Sequence, residues 1–297
     1  MRRIALVGAM CATVLQPVAA MAGTKDFALQ GYALPADKPV TIVLMRPDVS
    51  VGELTAGGLP QPNADWTKSA REQIEKALTA EMSERQLNFS SMEQRISDYN
   101  QQKAAVAQRC AAVPAEAAVP APTIPAECAA PVPAPASADA DPELTVSEYN
   151  ALHGAVVQAV LAHKYGMGAG KLPTKKENFS YTLGPGAGTL GQLAGANYGL
   201  FVMTNDQFAS DGRKAMQVMG ALGCIIGACM IVRGGVHVAY VSLVELDSGN
   251  IVWFNVLRGS DGDVREAEGA RTMVRSIMAG MPTRPGELRT AAVAKSR

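Results

Sequence analysis

Gly166-Met167-Gly168-Ala169-Gly170-Lys171 comes nearest to a phosphate-binding loop. Such a loop needs a glycine five residues before the glycine of its Gly-Lys pair and a Ser or Thr after the lysine to hold magnesium. Tyr165 stands where that first glycine is required, and Leu172 follows Lys171. Nucleotide binding is therefore not expected. Gly184-Pro185-Gly186-Ala187-Gly188 lacks the spacing of a dinucleotide fingerprint and reads as a loop that opens a short helix.

The three histidines do not converge. His153 and His163 are ten residues apart in one helical pattern and point to different sides. His237 lies between Val236 and Val238 in an alternating run, where it faces solvent or a hydrogen-bond partner. The chain carries neither a G-x-S-x-G elbow nor an H-E-x-x-H helix. Cys224 and Cys229 are embedded in apolar sequence, where a thiol is inert, and the cysteine spacings match no zinc pattern. Asp211, Arg213, Asp261, Asp263, Arg265 and Glu266 read as helix caps and solvated loop charges, with a functional charge cluster as the alternative. No catalytic residue, metal set or cofactor is implied, so the expectation is a non-enzymatic protein, with an enzyme of unknown type as a rival.

The compartment is read from the start of the chain. Met1-Arg2-Arg3 is followed by an apolar run from Ile4 to about Leu15 and by Ala20-Met21-Ala22. A basic region, an apolar region and a small-x-small site make a secretory signal peptide over residues 1–22, with cleavage after Ala22 and a periplasmic product. The apolar run is too short to span a bilayer. Cys11 lies inside that run behind a poor lipobox, Gly8-Ala9-Met10, so a soluble product is favoured over a lipoprotein. Net charge is zero and the pI about 6.8, so no bulk field attracts nucleic acid or an anionic membrane. Cys110 and Cys128 border a stretch of Ala and Pro, and in an oxidising compartment they are expected to form a disulfide. Closing a loop of about that length is worth roughly 3 kcal/mol in the chain-entropy model. Whether Cys224 and Cys229 pair is left open.

The elements that would position any site follow from periodicity. Residues 39–46 form a β-branched strand closed by Pro47, and 47–64, rich in Gly, Pro and Asn, predicts a loop. Asn63 or Asp65 can cap the helix whose apolar stripe is Ala70, Ile74, Ala77, Leu78 and Met82. Residues 86–92 suggest a short strand. Helical patterns at 93–109 and 145–164 flank the Ala/Pro-rich linker at 111–142 and could make an αα-hairpin with that linker at its tip. Further on come a short strand at 179–183, a short helix at 188–195, a buried strand at 197–204 and an apolar segment at 213–232. A β-hairpin turning at Asp247-Ser248-Gly249-Asn250 follows, then an amphipathic helix at 264–280. This predicts an α/β fold with a single mixed β-sheet and helices packed on it. It forms one domain over 23–287, with a flexible tail at 288–297.

Beside the strand 197–204, the hairpin 235–257 holds Asp247, Ser248, Gly249 and Trp253, and Leu243 to Trp253 resemble an L-x-D-x-x-T/S-G-x-I/V-x-W pattern in which Asp247 takes the variable position before Ser248. In these pieces the chain resembles the periplasmic domain of the curli secretion channel, the activator lipoproteins of penicillin-binding proteins and the TolB amino-terminal domain. Leu172–Lys175, the YGLFV strand and Trp253–Asn255 make it similar to a proteobacterial family of exported proteins. The resemblance implies action through protein contacts in secretion, cell-wall regulation or outer-membrane assembly. The pattern itself is a turn plus packing: Asp247 bonds the turn backbone, Gly249 supplies positive φ, and Trp253 fills the core.

Residues 214–232 are uncharged between Lys214 and Arg233, with Gly220, Gly223 and Gly227 at spacings of three and four. The segment is expected to be buried on the sheet and not to span a membrane. The alternatives are an interface between copies through its glycine face and a membrane-inserting oligomer. Partners are envelope proteins or a second copy.

Overall fold

The computed structural model describes residues 23–111, 141–166, 178–225, 232, 234–259 and 262–285. The expected signal peptide (1–22), nearly all of the linker and the tail (288–297) lie outside them.

Val40 and Ile42 to Met45 are buried, the run is largely β-branched, and Thr41–Leu44 form strand β2. Pro47 has no N–H to give a ladder. The strand breaks there and resumes as β3, Asp48–Leu54. Both segments run parallel to one long strand, β6 (Tyr198–Ala209): Ile42 opposes Tyr198, and after the break Asp48 opposes Met203. The loop expected at 47–64 is thus a strand over much of its length. Val49, Val51 and Leu54 point inward, and this burial prevails over a turn-like composition. Pro60–Pro62, β4, pairs antiparallel with β3.

The remaining strands are β1 (Gly23–Ala28), β5 (Asn88–Ser91), β7 (Val236–Glu245) and β8 (Asn250–Arg258). The order is β1-β8-β7-β6-β2-β5, with β3 also beside β6 and β4 beside β3. Pairs β2–β5, β2–β6 and β3–β6 are parallel; the others are antiparallel. The expected mixed sheet of an α/β fold is therefore present. The expected strand at 179–183 is reduced to one bridge, Thr182 to Asn250.

Helices cover both faces. α1 (Ala64–Glu84) and α6 (Ala267–Met278) lie on one, where Ile74, Leu78, Val274 and Ile277 share a core with Trp253 and Leu257. α2 (Met92–Ala111), α3 (Pro142–Tyr165) and α4 (Gly188–Ala194) serve the other, with Ile96, Val157 and Leu190 around Phe254. Buried Asn255 ties α6 to the sheet by donating to the Ile277 carbonyl, one of those a helix end leaves without an intrahelical partner.

α2 and α3 do not form the expected αα-hairpin. Arg46 Nη2 donates to Glu93 and to Glu143, 2.8 Å from each, so the first turns of the two helices meet. In an antiparallel hairpin the first turn of one helix meets the last turn of the other. Among the described residues of α2 only Met92 and Ile96 are buried.

Asn63, rather than Asp65, caps α1: its Oδ1 accepts from the Trp66 N–H at 3.0 Å. Asn63→Ala is expected to lower stability by about 1 kcal/mol, seen as a lower urea midpoint at unchanged m-value, with Asp65→Ala costing less.

Candidate interaction surface

Helix α5 (Asp211–Ile225) directly follows β6. The Ser210 hydroxyl accepts from the Arg213 N–H at 3.1 Å and opens it. Arg213 Nη1 donates to the Thr55 carbonyl at the end of β3, and Gln217 Nε2 to the Val232 carbonyl. These contacts fix one side of the helix. The other side is apolar and open: Val218 is 60%, Met219 68% and Leu222 53% exposed. With exposed Ala215 they fall at spacings of three and four, which aligns them in one stripe.

This overturns the expectation that residues 214–232 are buried, as far as they are described. The small-residue face was expected to pack on the sheet, with contact between copies through it as the alternative; Gly220 is buried and Gly223 half-buried, and Gly227 lies outside the described residues. Gly220 faces the protein, and the larger side chains of Val218, Met219 and Leu222 are turned to solvent.

A polar and aromatic cluster lies where β6 and β7 meet the start of α1. The Arg265 guanidinium sits 4.2 Å from the Trp66 ring centre and 4.3 Å from that of Phe208. Asp263 grips the same guanidinium, Oδ1 accepting from Nε at 2.8 Å. That bond holds the Asp263 carboxyl below its usual range and raises Arg265. Beside them His237 Nδ1 lies 2.9 Å from buried Asp206. Burial pushes the Asp206 carboxyl up, opposed by the His237 bond. The Phe208 ring meets His237 edge-on at 5.2 Å. Among the described residues the His237 ring has no other hydrogen-bond partner, and the arrangement locks three elements together.

Of the six loop charges in the sequence, Asp263 and Arg265 therefore come together. Asp211 pairs with Lys214, Arg213 reaches Thr55, Glu266 precedes α6 without a side-chain cap bond, and Asp261 lies outside the described residues. Trp66 and Phe208 were not singled out in the sequence; an i, i+4 or heptad signal cannot link residues so far apart.

The other histidines also serve packing. His153 is 5% exposed, stacks 4.2 Å from Phe201 and bonds Ser242 Oγ at 2.8 Å. His163 Nδ1 lies 3.3 Å from the Tyr181 hydroxyl. In the hairpin, Gly249 has φ +70° as its turn requires, and Trp253 is fully buried with Nε1 donating to Asp26 Oδ2 at 3.2 Å. The expected turn bond from Asp247 is not formed among the described residues. Ser248 makes it instead, donating to Glu245 and accepting from the Asn250 N–H. Cys110, next to last in α2, is half-buried, and Cys224 lies near the end of α5 with Sγ 3.4 Å from the Gly220 carbonyl. Cys128 and Cys229 lie outside the described residues, as does the stretch Met167–Lys171.

The fold and these surfaces define an α/β protein with one mixed sheet and an exposed apolar helix. No family model and no curated protein matches the chain. Among solved structures it is similar to the PelC dodecamer from Paraburkholderia phytofirmans, at 10% identity and a TM-score of 0.32, covering 89% of this chain and 99% of that one. A single-substitution variant of that dodecamer gives 11% identity and 0.31, covering 89% and 100%. Values this low establish neither a shared fold nor a shared role. No described helix is long and apolar enough to cross a membrane.

Proposed function

We propose that this protein is a non-enzymatic periplasmic accessory of the cell envelope that works through protein contacts, in secretion, cell-wall or outer-membrane assembly. The observation that carries this reading is the stripe Val218, Met219 and Leu222, three large apolar side chains held in solvent on an ordered helix. Exposed apolar surface costs solubility, and a contiguous patch of it marks an interaction site. The three-part N-terminus and the resemblance of the hairpin to envelope proteins support the compartment.

The double substitution Val218→Glu with Leu222→Glu is the test. Because both side chains are exposed, stability should stay within about 0.5 kcal/mol of the parent. Envelope-bound protein should at the same time shift to the free fraction on size-exclusion chromatography. A drop of several kcal/mol would show that the stripe is core, and unchanged association would remove it as the contact surface. A membrane-inserting oligomer is the second reading, favoured by the uncharged sequence from Ala215 to Val232. It requires the parent protein to co-float with protein-free vesicles and to form ring-sized particles in detergent.

A further inference from the structure

We propose that the open edge of the sheet, where β1 and β8 run beside the last turn of α3, binds a phosphate-bearing ligand. A cavity of about 390 Å³ lies there, lined by Gly23, Thr24, Lys25, Tyr165, Val256 and Arg258. It is independent of the α5 stripe and of the role proposed for it.

The register explains why two cations share this cavity. Gly23 opposes Arg258 and Lys25 opposes Val256. Opposed residues of a sheet share a face, and so do residues two apart in a strand. Lys25 and Arg258 are thus diagonal neighbours on the α3 side. Asp26 points to the other face, where it accepts from Trp253.

Like charges so placed repel, and a protein that keeps them together ordinarily sets a carboxylate between them. None of the lining residues is acidic. Among the described residues neither Lys25 nor Arg258 forms an ion pair.

Lys25 is also held in place. Tyr165 Oη donates to its carbonyl at 2.5 Å, and Nζ lies 5.2 Å from the Phe27 ring centre and 5.7 Å from that of Tyr165. Lys164 Nζ lies 5.4 Å from the same Phe27 ring. Two cations lining one cavity suit a group of more than one negative charge with oxygens on several sides, which a phosphate is and a single carboxylate is not. Arg258 can take two of those oxygens at once while Lys25 acts as a point charge. The phosphate can belong to a soluble ester or to a lipid headgroup.

The test uses the full chain with two probes: inorganic phosphate followed by calorimetry, and phosphatidylglycerol vesicles followed by co-flotation, with phosphatidylcholine vesicles as the neutral reference. Lys25→Gln and Arg258→Gln should each weaken binding about tenfold and together abolish it, with melting temperature unchanged. Lys68→Gln, on the first turns of α1, should leave binding intact. Saturable phosphate binding without co-flotation identifies a soluble ester, and co-flotation that phosphate competes away identifies a headgroup. If the parent binds neither probe, or if Lys68→Gln weakens binding as much as the cavity variants do, the proposal is overturned.

Discussion

Trp253→Ala is expected to remove about 3–5 kcal/mol of stability, the range for emptying a buried large aromatic position. Trp253 is fully buried on β8, opposite Ala28 of β1 and Leu243 of β7. Its loss would hollow the core between the sheet and α6 and leave Asp26 without the indole N–H. Domains of ordinary stability hold about 5–15 kcal/mol in all, so much of the population would unfold under mild denaturant. Gly249→Val acts on the same hairpin by another route. At φ +70° a β-branched side chain is strained, and its Cβ would run into the Gly184 carbonyl oxygen. Guanidinium unfolding monitored by near-UV circular dichroism checks both, and Trp253→Phe should recover part of the loss. Parent-like midpoints in the alanine and valine variants, with lost association, would mean that the hairpin is a binding surface and not a structural core.

Those two residues were legible in the sequence because their signals are local. A turn quartet between two alternating runs fixes the hairpin, its register and its glycine at once. The cap at Asn63 and the stripe of α1 were readable for the same reason. β3 was not: its glycine and flanking prolines look like loop, and its strand character comes from lying along the far half of β6. The meeting of α2 and α3 at Arg46 escaped because two helical patterns joined by a long linker do not state which ends come together. α5 was misjudged on burial. Apolar composition shows that a segment avoids water on average, but its environment depends on whether another element lies opposite. Here Gly220 faces inward while Val218, Met219 and Leu222 do not. The cluster of Trp66, Phe208 and Arg265 depends on three elements converging, which no spacing rule encodes.

Acidification should weaken the fold through His153. Burial pushes this imidazole down to about 3 from an ordinary 6.5. In the unfolded chain it takes up a proton as pH falls through 6.5, whereas in the folded protein, stacked on Phe201 under the α3 face of the sheet, it stays neutral until about pH 3. Across that window the unfolded state binds the extra proton, so stability is complete above pH 6.5 and falls as pH drops. The slope approaches about 1.4 kcal/mol per pH unit, which amounts to roughly 3 kcal/mol between pH 7 and 4.5. Two carboxyls act beside it: Asp206, raised by burial, works in the opposite direction above the ordinary 3.8, and Asp263, lowered by Arg265, works in the same direction but only as pH falls below 3.8. His153→Gln separates them. Glutamine can still reach Ser242 but does not titrate, so the variant should be less stable than the parent at pH 7, where the Phe201 stack is lost. The gap should then narrow by roughly 3 kcal/mol by pH 4.5. Urea unfolding at half-unit pH steps measures both curves. Parallel curves would show that the folded imidazole accepts its proton as readily as the unfolded one, with water reaching it in a way this packing does not allow.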